Sequence, residues 1–186
     1  MALLSLLARL GTSQPVEPIA SLGELAETFD FNHFGRAPAH FDLHDVELLN
    51  SRLLHHLDFG AVGARLPKGA TEDDWLLLRG NLTTLAEYAD WNEVLGGDIA
   101  VPDMPEEDRA FCAEAAVVAV KIDWSRDPWH ALAEHLKTFT GRKGRALFHP
   151  LRLALTGRTS GPEMAGLLKR IGKDRAIQRL KSASAR

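Results

Sequence analysis

The sequence predicts an all-α fold, a helical bundle or cage, and three observations carry that prediction. Apolar residues recur at helical spacing in segment after segment. Those segments are opened by capping residues and closed by glycine or proline. No run alternates with a period of two between turn residues, so no strand pair is expected. The composition is compatible: 186 residues, 45% apolar and 25% charged, enough for one large domain or two small ones with a real core.

Taken in order, Met1 to Leu10 has helical spacing at Leu3, Leu6, Leu7 and Leu10, with Gly11 as a stop and Pro15 just beyond. Ser21-Leu22-Gly23-Glu24 is a capping box that opens a short helix to about Thr28. Phe29 to Pro38 alternates aromatic residues with turn formers and is expected to wrap over a core. Asp42 caps the next helix, whose apolar stripe is Leu43, Val46, Leu49, Leu53 and Leu57. A shorter helix runs from Asp58 to near Leu66. Thr71 to Asp74 caps a helix carrying Trp75, Leu76 and Leu78. Gly80-Asn81 interrupts it, and Thr83 or Thr84 restarts it as far as Leu95.

Gly96-Gly97 ends that element, and Ile99 to Asp103 is expected to be extended. Pro105 followed by Glu106, Glu107 and Asp108 makes a strong N-terminus for a helix to about Val120. Asp127-Pro128 repeats the signal for a helix to about Thr140. Between Thr140 and Thr156, apolar Leu147, Phe148, Leu151 and Leu155 alternate with basic Arg145 and Arg152. That interleaving predicts a helix with one apolar and one basic side. Two further helices are expected, from Ser160–Pro162 to near Gly172 and from Lys173 to Ala183. Boundaries at the Pro67–Ala70 loop and at the onset of the basic tail divide the chain into 1–66, 67–135 and 136–186; the Gly96–Pro105 stretch is a further candidate boundary.

Charge is unevenly distributed. The net charge is only −3, yet Leu136 to Arg186 holds 13 Lys/Arg against 2 Asp/Glu. The remainder is correspondingly acidic. A basic tail of this kind suits a phosphate-rich partner, and a solvated basic face is the alternative reading.

Several chemistries are set aside. The single cysteine, Cys112, lies in an Ala/Val-rich helix and reads as a buried, inert thiol in a reducing, cytoplasmic setting. His40 and His44 have i,i+4 spacing, but His40 precedes the helix cap and no third ligand is near, so no metal site is expected. There is no phosphate-binding glycine loop, no nucleophile elbow and no arranged triad. No run approaches a membrane span, and Met1 to Leu10 lacks the basic start and cleavage site of a signal peptide. The tryptophans read as core residues.

The stretch Thr140 to Met164, TGRKGRALFHPLRLALTGRTSGPEM, resembles the C-terminal region of bacterial glutamyl-tRNA synthetases of the proteobacterial type. The family has a Thr-Gly-x-Lys-Gly stretch, then Leu-Phe-x-Pro-Leu-Arg, Ala-Leu-Thr-Gly and a Gly-Pro step. These stand here at Thr140–Gly144, Leu147–Arg152, Ala154–Gly157 and Gly161-Pro162. Phe41-Asp42, Leu49-Asn50-x-Arg52, Ala8 to Pro15 and Leu167 to Arg175 extend the likeness over nearly the whole chain.

The resemblance implies a stem-contact-like region at 1–66 and two helical anticodon-binding subdomains at 67–135 and 136–186. It implies recognition of the anticodon stem-loop of tRNA-Glu. Arg152, Gly161 and Met164 fall where the family approaches the anticodon. Some members carry threonine at the Gly161 position; here only the backbone is available. Asn81 falls near the position where glutamate-only members read the third anticodon base with arginine, which implies that tRNA-Gln could also be accepted. Arg142, Lys143, Arg145, Arg158 and Lys169 are assigned to tRNA phosphates.

The signature His-Ile-Gly-His and Lys-Met-Ser-Lys-Ser motifs of the family's catalytic Rossmann domain are not in this sequence. The resemblance therefore implies a chain that is not an enzyme by itself and needs no cofactor, with ATP and Mg belonging to a catalytic domain that could act in trans. The rival readings are a detached paralogue serving as a protein-interaction module, and a self-contained enzyme using His40, His44 or Cys112.

Overall fold

The protein is described by a computed structural model that covers residues 1–100 and 102–185. The described residues form α-helices α1 (Ala2–Leu7), α2 (Leu22–Glu27), α3 (Leu43–His56), α4 (Phe59–Val62), α5 (Glu72–Leu78), α6 (Glu87–Gly96), α7 (Glu106–Lys121), α8 (Pro128–Thr140), α9 (Arg145–Thr156), α10 (Met164–Ile171) and α11 (Lys173–Ser184). Among the described residues there is no strand; extended pairing is confined to one isolated bridge between Thr12 and Phe34. No helix of the described residues is long and apolar enough to cross a membrane. The expected extended segment from Ile99 to Asp103 includes Val101, which lies outside the described residues.

Side-chain caps hold the starts of α2, α3, α5 and α8. The Ser21 hydroxyl accepts the Glu24 N–H at 3.2 Å, and Asp42 accepts the His44 N–H at 2.9 Å. Asp127 accepts the His130 N–H at 3.0 Å, with Pro128 in the first turn of α8. Each satisfies an amide that the helix itself leaves without an acceptor. The restart expected at Thr83 or Thr84 comes later, at Glu87. The Glu87 carboxylate reaches back to accept the Thr83 N–H at 2.9 Å, so this stretch closes as a turn ahead of α6.

The chain forms two compact units, one from Met1 to Ala89 and one from Asp90 onward. The divisions expected at 66/67 and 135/136 each fall within one of these units. The Pro67–Ala70 loop is bridged, because Trp75 Nε1 and Arg79 Nη1 both donate to the Leu57 carbonyl, at 2.7 and 2.8 Å. The expected boundary at 135/136 falls inside the unbroken helix α8.

In the first unit α1 packs on α3 through Ala2, Leu6, Leu49 and Leu53, with Val46 at the margin. The buried Ser5 hydroxyl accepts the Ile19 N–H and donates to the Ile19 carbonyl. Arg9, 8% exposed, donates to the carbonyl and hydroxyl of Thr28. These bonds fix the link between α1 and α2. The aromatic segment at Phe29 does not wrap over a core as expected. Phe29, Phe31 and Phe34 pack on one another, with centroids 4.9 to 6.1 Å apart, and all three face solvent.

In the second unit α11 lies along α7 and also meets α9 and α10, while α8 packs on α7, α9 and α10. The core is built from Phe111, Cys112, Ala115, Leu132, Leu136, Leu147, Leu151, Leu155, Leu167, Leu168 and Leu180. The small side chains at Ala115, Ala116 and Ala119 let α11 approach α7 closely. Burial pushes the Cys112 thiol up to about 12, and Asp108 adds to the shift. A thiol held protonated in this way is a packing residue and not a nucleophile.

Candidate nucleic-acid interface

The site is built on α9. Pro150 stands inside this helix and is buried; it removes one amide from the ladder. Leu147, Leu151, Ala154 and Leu155 are buried at 1% exposure or less. Arg145, Phe148 and Arg152, spaced i, i+3 and i+7, share another face. The helix is two-sided as expected, except that Phe148, expected with the apolar residues, stands on the basic side at 42% exposure.

The two Thr-Gly-Arg triplets are one structural device used twice. Thr140 Oγ1 donates to the Leu136 carbonyl and accepts the Arg142 N–H, at 2.7 and 3.2 Å. Thr156 Oγ1 donates to the Arg152 carbonyl and accepts the Arg158 N–H, at 2.7 and 3.1 Å. Gly141 and Gly157 both take the left-handed conformation, with φ of 71° and 68°. Each triplet thereby ends a helix and reverses the chain. Each arginine then lies over an aromatic ring, Arg142 over Phe111 and Arg158 over Trp91, both 4.6 Å from the centroid.

Two of the residues assigned to phosphates have partners within the fold. Arg142 pairs with Asp108 at 2.6 Å and donates to the carbonyls of Glu107 and Ala146. Its donors are committed to tying the α8–α9 turn to the start of α7. Arg158 is half-buried on Trp91, which favours a structural role for its guanidinium as well. Lys143, Arg145 and Lys169 are exposed and remain available for phosphates.

Arg152 is half-buried. Its Nη2 donates to the Pro162 carbonyl at 3.0 Å, while Nη1 is shielded from solvent without a hydrogen-bond partner. Burial lowers its pKa from the ordinary arginine value. The side chain is thus under-bonded in the free protein, and turning outward to an acceptor would satisfy it.

The loop that Arg152 touches is shaped by Trp91. Gly161 has φ of 140°, and a Cβ there would lie 2.1 Å from Trp91 Cη2. A threonine at this position would require the ring to move. Met164, the third residue expected near the anticodon, opens α10 at 4% exposure and packs in the core. Within this unit the fold therefore gathers Arg152, Arg158, Gly161 and Met164 around one loop. Asn81 belongs to the first unit, where it is exposed in a single 3-10 turn, Arg79–Asn81. His40 and His44 are both exposed, and His44 Nδ1 lies 3.7 Å from Glu47.

Sequence reasoning missed two features. Phe148 is 42% exposed and pairs with Trp129 of α8, with ring centroids 5.8 Å apart and planes at 38°. Its position on the Arg145/Arg152 face was a readable signal. Arg175 and Arg179 were counted in the basic tail but point inward. Arg175 donates to the Leu95 and Ile171 carbonyls. Arg179, 6% exposed, donates to those of Leu155, Val94 and Gly97. No local pattern separates such arginines from surface ones.

Comparison with known proteins gives a consistent result. The anticodon binding domain family matches residues 77–184. Glutamate–tRNA ligase 2 of Sphingopyxis alaskensis is 54% identical over 98% of this chain and 42% of its own length. Glutamate–tRNA ligase 1 of Zymomonas mobilis is 49% identical over 98% of this chain and 41% of its own. The crystal structure of glutamate-tRNA synthetase from Elizabethkingia anophelis superposes with a TM-score of 0.75 over 98% of this chain and 40% of that one, at 21% identity, which supports the fold. The chain spans about two-fifths of the length of the ligases it matches. With its helical fold, its two arginine-clamped helix ends and this match over residues 77–184, the chain belongs to the anticodon binding domain family.

Proposed function

We propose that this chain is the RNA-recognising part of a glutamate–tRNA ligase and binds the anticodon stem-loop of tRNA-Glu. The observation that carries this reading is Arg152. It is held by one bond to Pro162, has an unsatisfied second nitrogen, and stands on the helix face that also carries Arg145. A guanidinium in this state can fork onto a base edge or stack on a splayed base. The exposed Lys143, Arg145 and Lys169 supply charge for the backbone.

In this reading the chain itself does no chemistry. ATP, Mg and glutamate activation fall to a catalytic domain, joined or in trans, and the work is done in the cytoplasm. Asn81 offers hydrogen bonds without charge, and this makes tRNA-Gln a second acceptable partner. A preference of at least about tenfold for either stem-loop would refute that relaxed choice.

The test is fluorescence anisotropy with the tRNA-Glu anticodon stem-loop over a salt series. Saturable binding that weakens with salt is expected. Arg152→Ala is expected to lose about five- to a hundredfold in affinity. A folded chain that fails to bind at low salt refutes the reading.

A further inference from the structure

We propose that Phe148, backed by Trp129, is a stacking surface for one unpaired base of the bound RNA loop. The proposal rests on the RNA-binding reading above and adds a residue that base-edge and phosphate contacts do not account for.

Phe148 is 42% exposed on a helix whose other large apolar side chains are buried at Leu147, Leu151 and Leu155 and half-buried at Leu153. An aromatic ring left in water there contributes less to folding than a buried one, and a polar residue would serve the solvent face as well. The ring is nevertheless supported from one side. Trp129 lies 5.8 Å away at 38°, so Phe148 keeps its place and presents its remaining surface outward. Arg145 and Arg152 stand one helical turn to either side of it, about 10 Å apart along the axis.

An exposed, supported ring between two guanidinium groups has the composition of a single-strand binding surface. Bases stack on the ring while the cations engage backbone or base edges. The plain alternative is that Phe148 only staples α9 to α8. Leucine would preserve an apolar staple but has no face on which a base can stack.

The experiment uses this chain and the tRNA-Glu anticodon stem-loop with 2-aminopurine placed at each loop position in turn. One position is expected to show fluorescence quenching on binding that Phe148→Leu abolishes and Phe148→Tyr retains. Phe148→Leu is expected to lose about tenfold in affinity with an unchanged slope of log affinity against log salt, because no charge is removed. Arg145→Ala should instead reduce that slope by about one. Thermal melting of each variant reports on the staple. If the wild type binds and Arg152→Ala weakens it, but Phe148→Leu binds within about twofold of wild type, the stacking proposal fails and the RNA-binding reading stands. If the folded wild type does not bind, both fall.

Discussion

Arg179→Met tests whether a buried cation in the basic tail serves the fold and not the RNA. Arg179 Nη1 donates to the Leu155 carbonyl at 2.6 Å, and Nη2 to those of Val94 and Gly97 at 2.7 and 2.8 Å. Leu155 and Val94 lie in the last turns of α9 and α6, where carbonyls have no partner inside their own helix. Three charge-assisted bonds at about 1.5 kcal/mol each give about 4.5 kcal/mol gross. Burying the guanidinium opposes this, and with nearby Arg175 it draws the pKa down to about 10. Methionine recovers that cost and keeps much of the apolar stem. A net loss of about 3 kcal/mol follows. For a unit near 100 residues this lowers the melting temperature by roughly 12 °C or more, measured by far-UV circular dichroism. Arg179→Lys, which keeps the charge but cannot fork to three carbonyls, should fall between the two. A shift below about 4 °C for Arg179→Met would refute the reasoning. So would a fall of about one in the salt slope of RNA binding, which would return Arg179 to the phosphates.

Further outcomes follow from other contacts. Gly161→Ala must displace the Trp91 ring or the loop, since the new Cβ would lie 2.1 Å from Trp91 Cη2 at φ of 140°. A loss of about 2 kcal/mol or more in urea denaturation and an altered tryptophan near-UV signal are expected, and an unaltered signal would contradict the packing. Arg142→Ala leaves Asp108 without its partner and removes the cation from Phe111; it should cost about 2 kcal/mol or more, whereas Lys143→Ala should change stability by less than about 0.5 kcal/mol and reduce the salt slope. For Cys112, whose thiol is raised from 9.0 to about 12 in the fold, the unfolded chain ionises first as pH rises. Its contribution to stability is present below pH 9 and is lost between pH 9 and about 12, by up to about 4 kcal/mol. Urea titrations of wild type and Cys112→Ala across that window should diverge with this sign, and parallel curves would overturn the shift.

The sequence alone determined that the chain is helical and where most helices begin. Serine, aspartate and proline caps act within a few residues, and their partners are adjacent amides, as at Ser21, Asp42 and Asp127. It also determined the family, through the fixed spacing of residues from Thr140 to Met164. What it could not assign was the work of each arginine. Arg142, Arg152, Arg158, Arg175 and Arg179 look alike as letters. One pairs with Asp108, one lies on Trp91, two hold helix-end carbonyls far away in the chain, and Arg152 is left at the loop with a single hydrogen bond and a buried, unsatisfied Nη1. Likewise Met164 turned out to be core and Phe148 solvent-facing. A cap is decided by neighbours in sequence. The fate of a long cationic or apolar side chain is decided by which distant backbone and rings the fold brings within its reach, and that only the tertiary structure supplies.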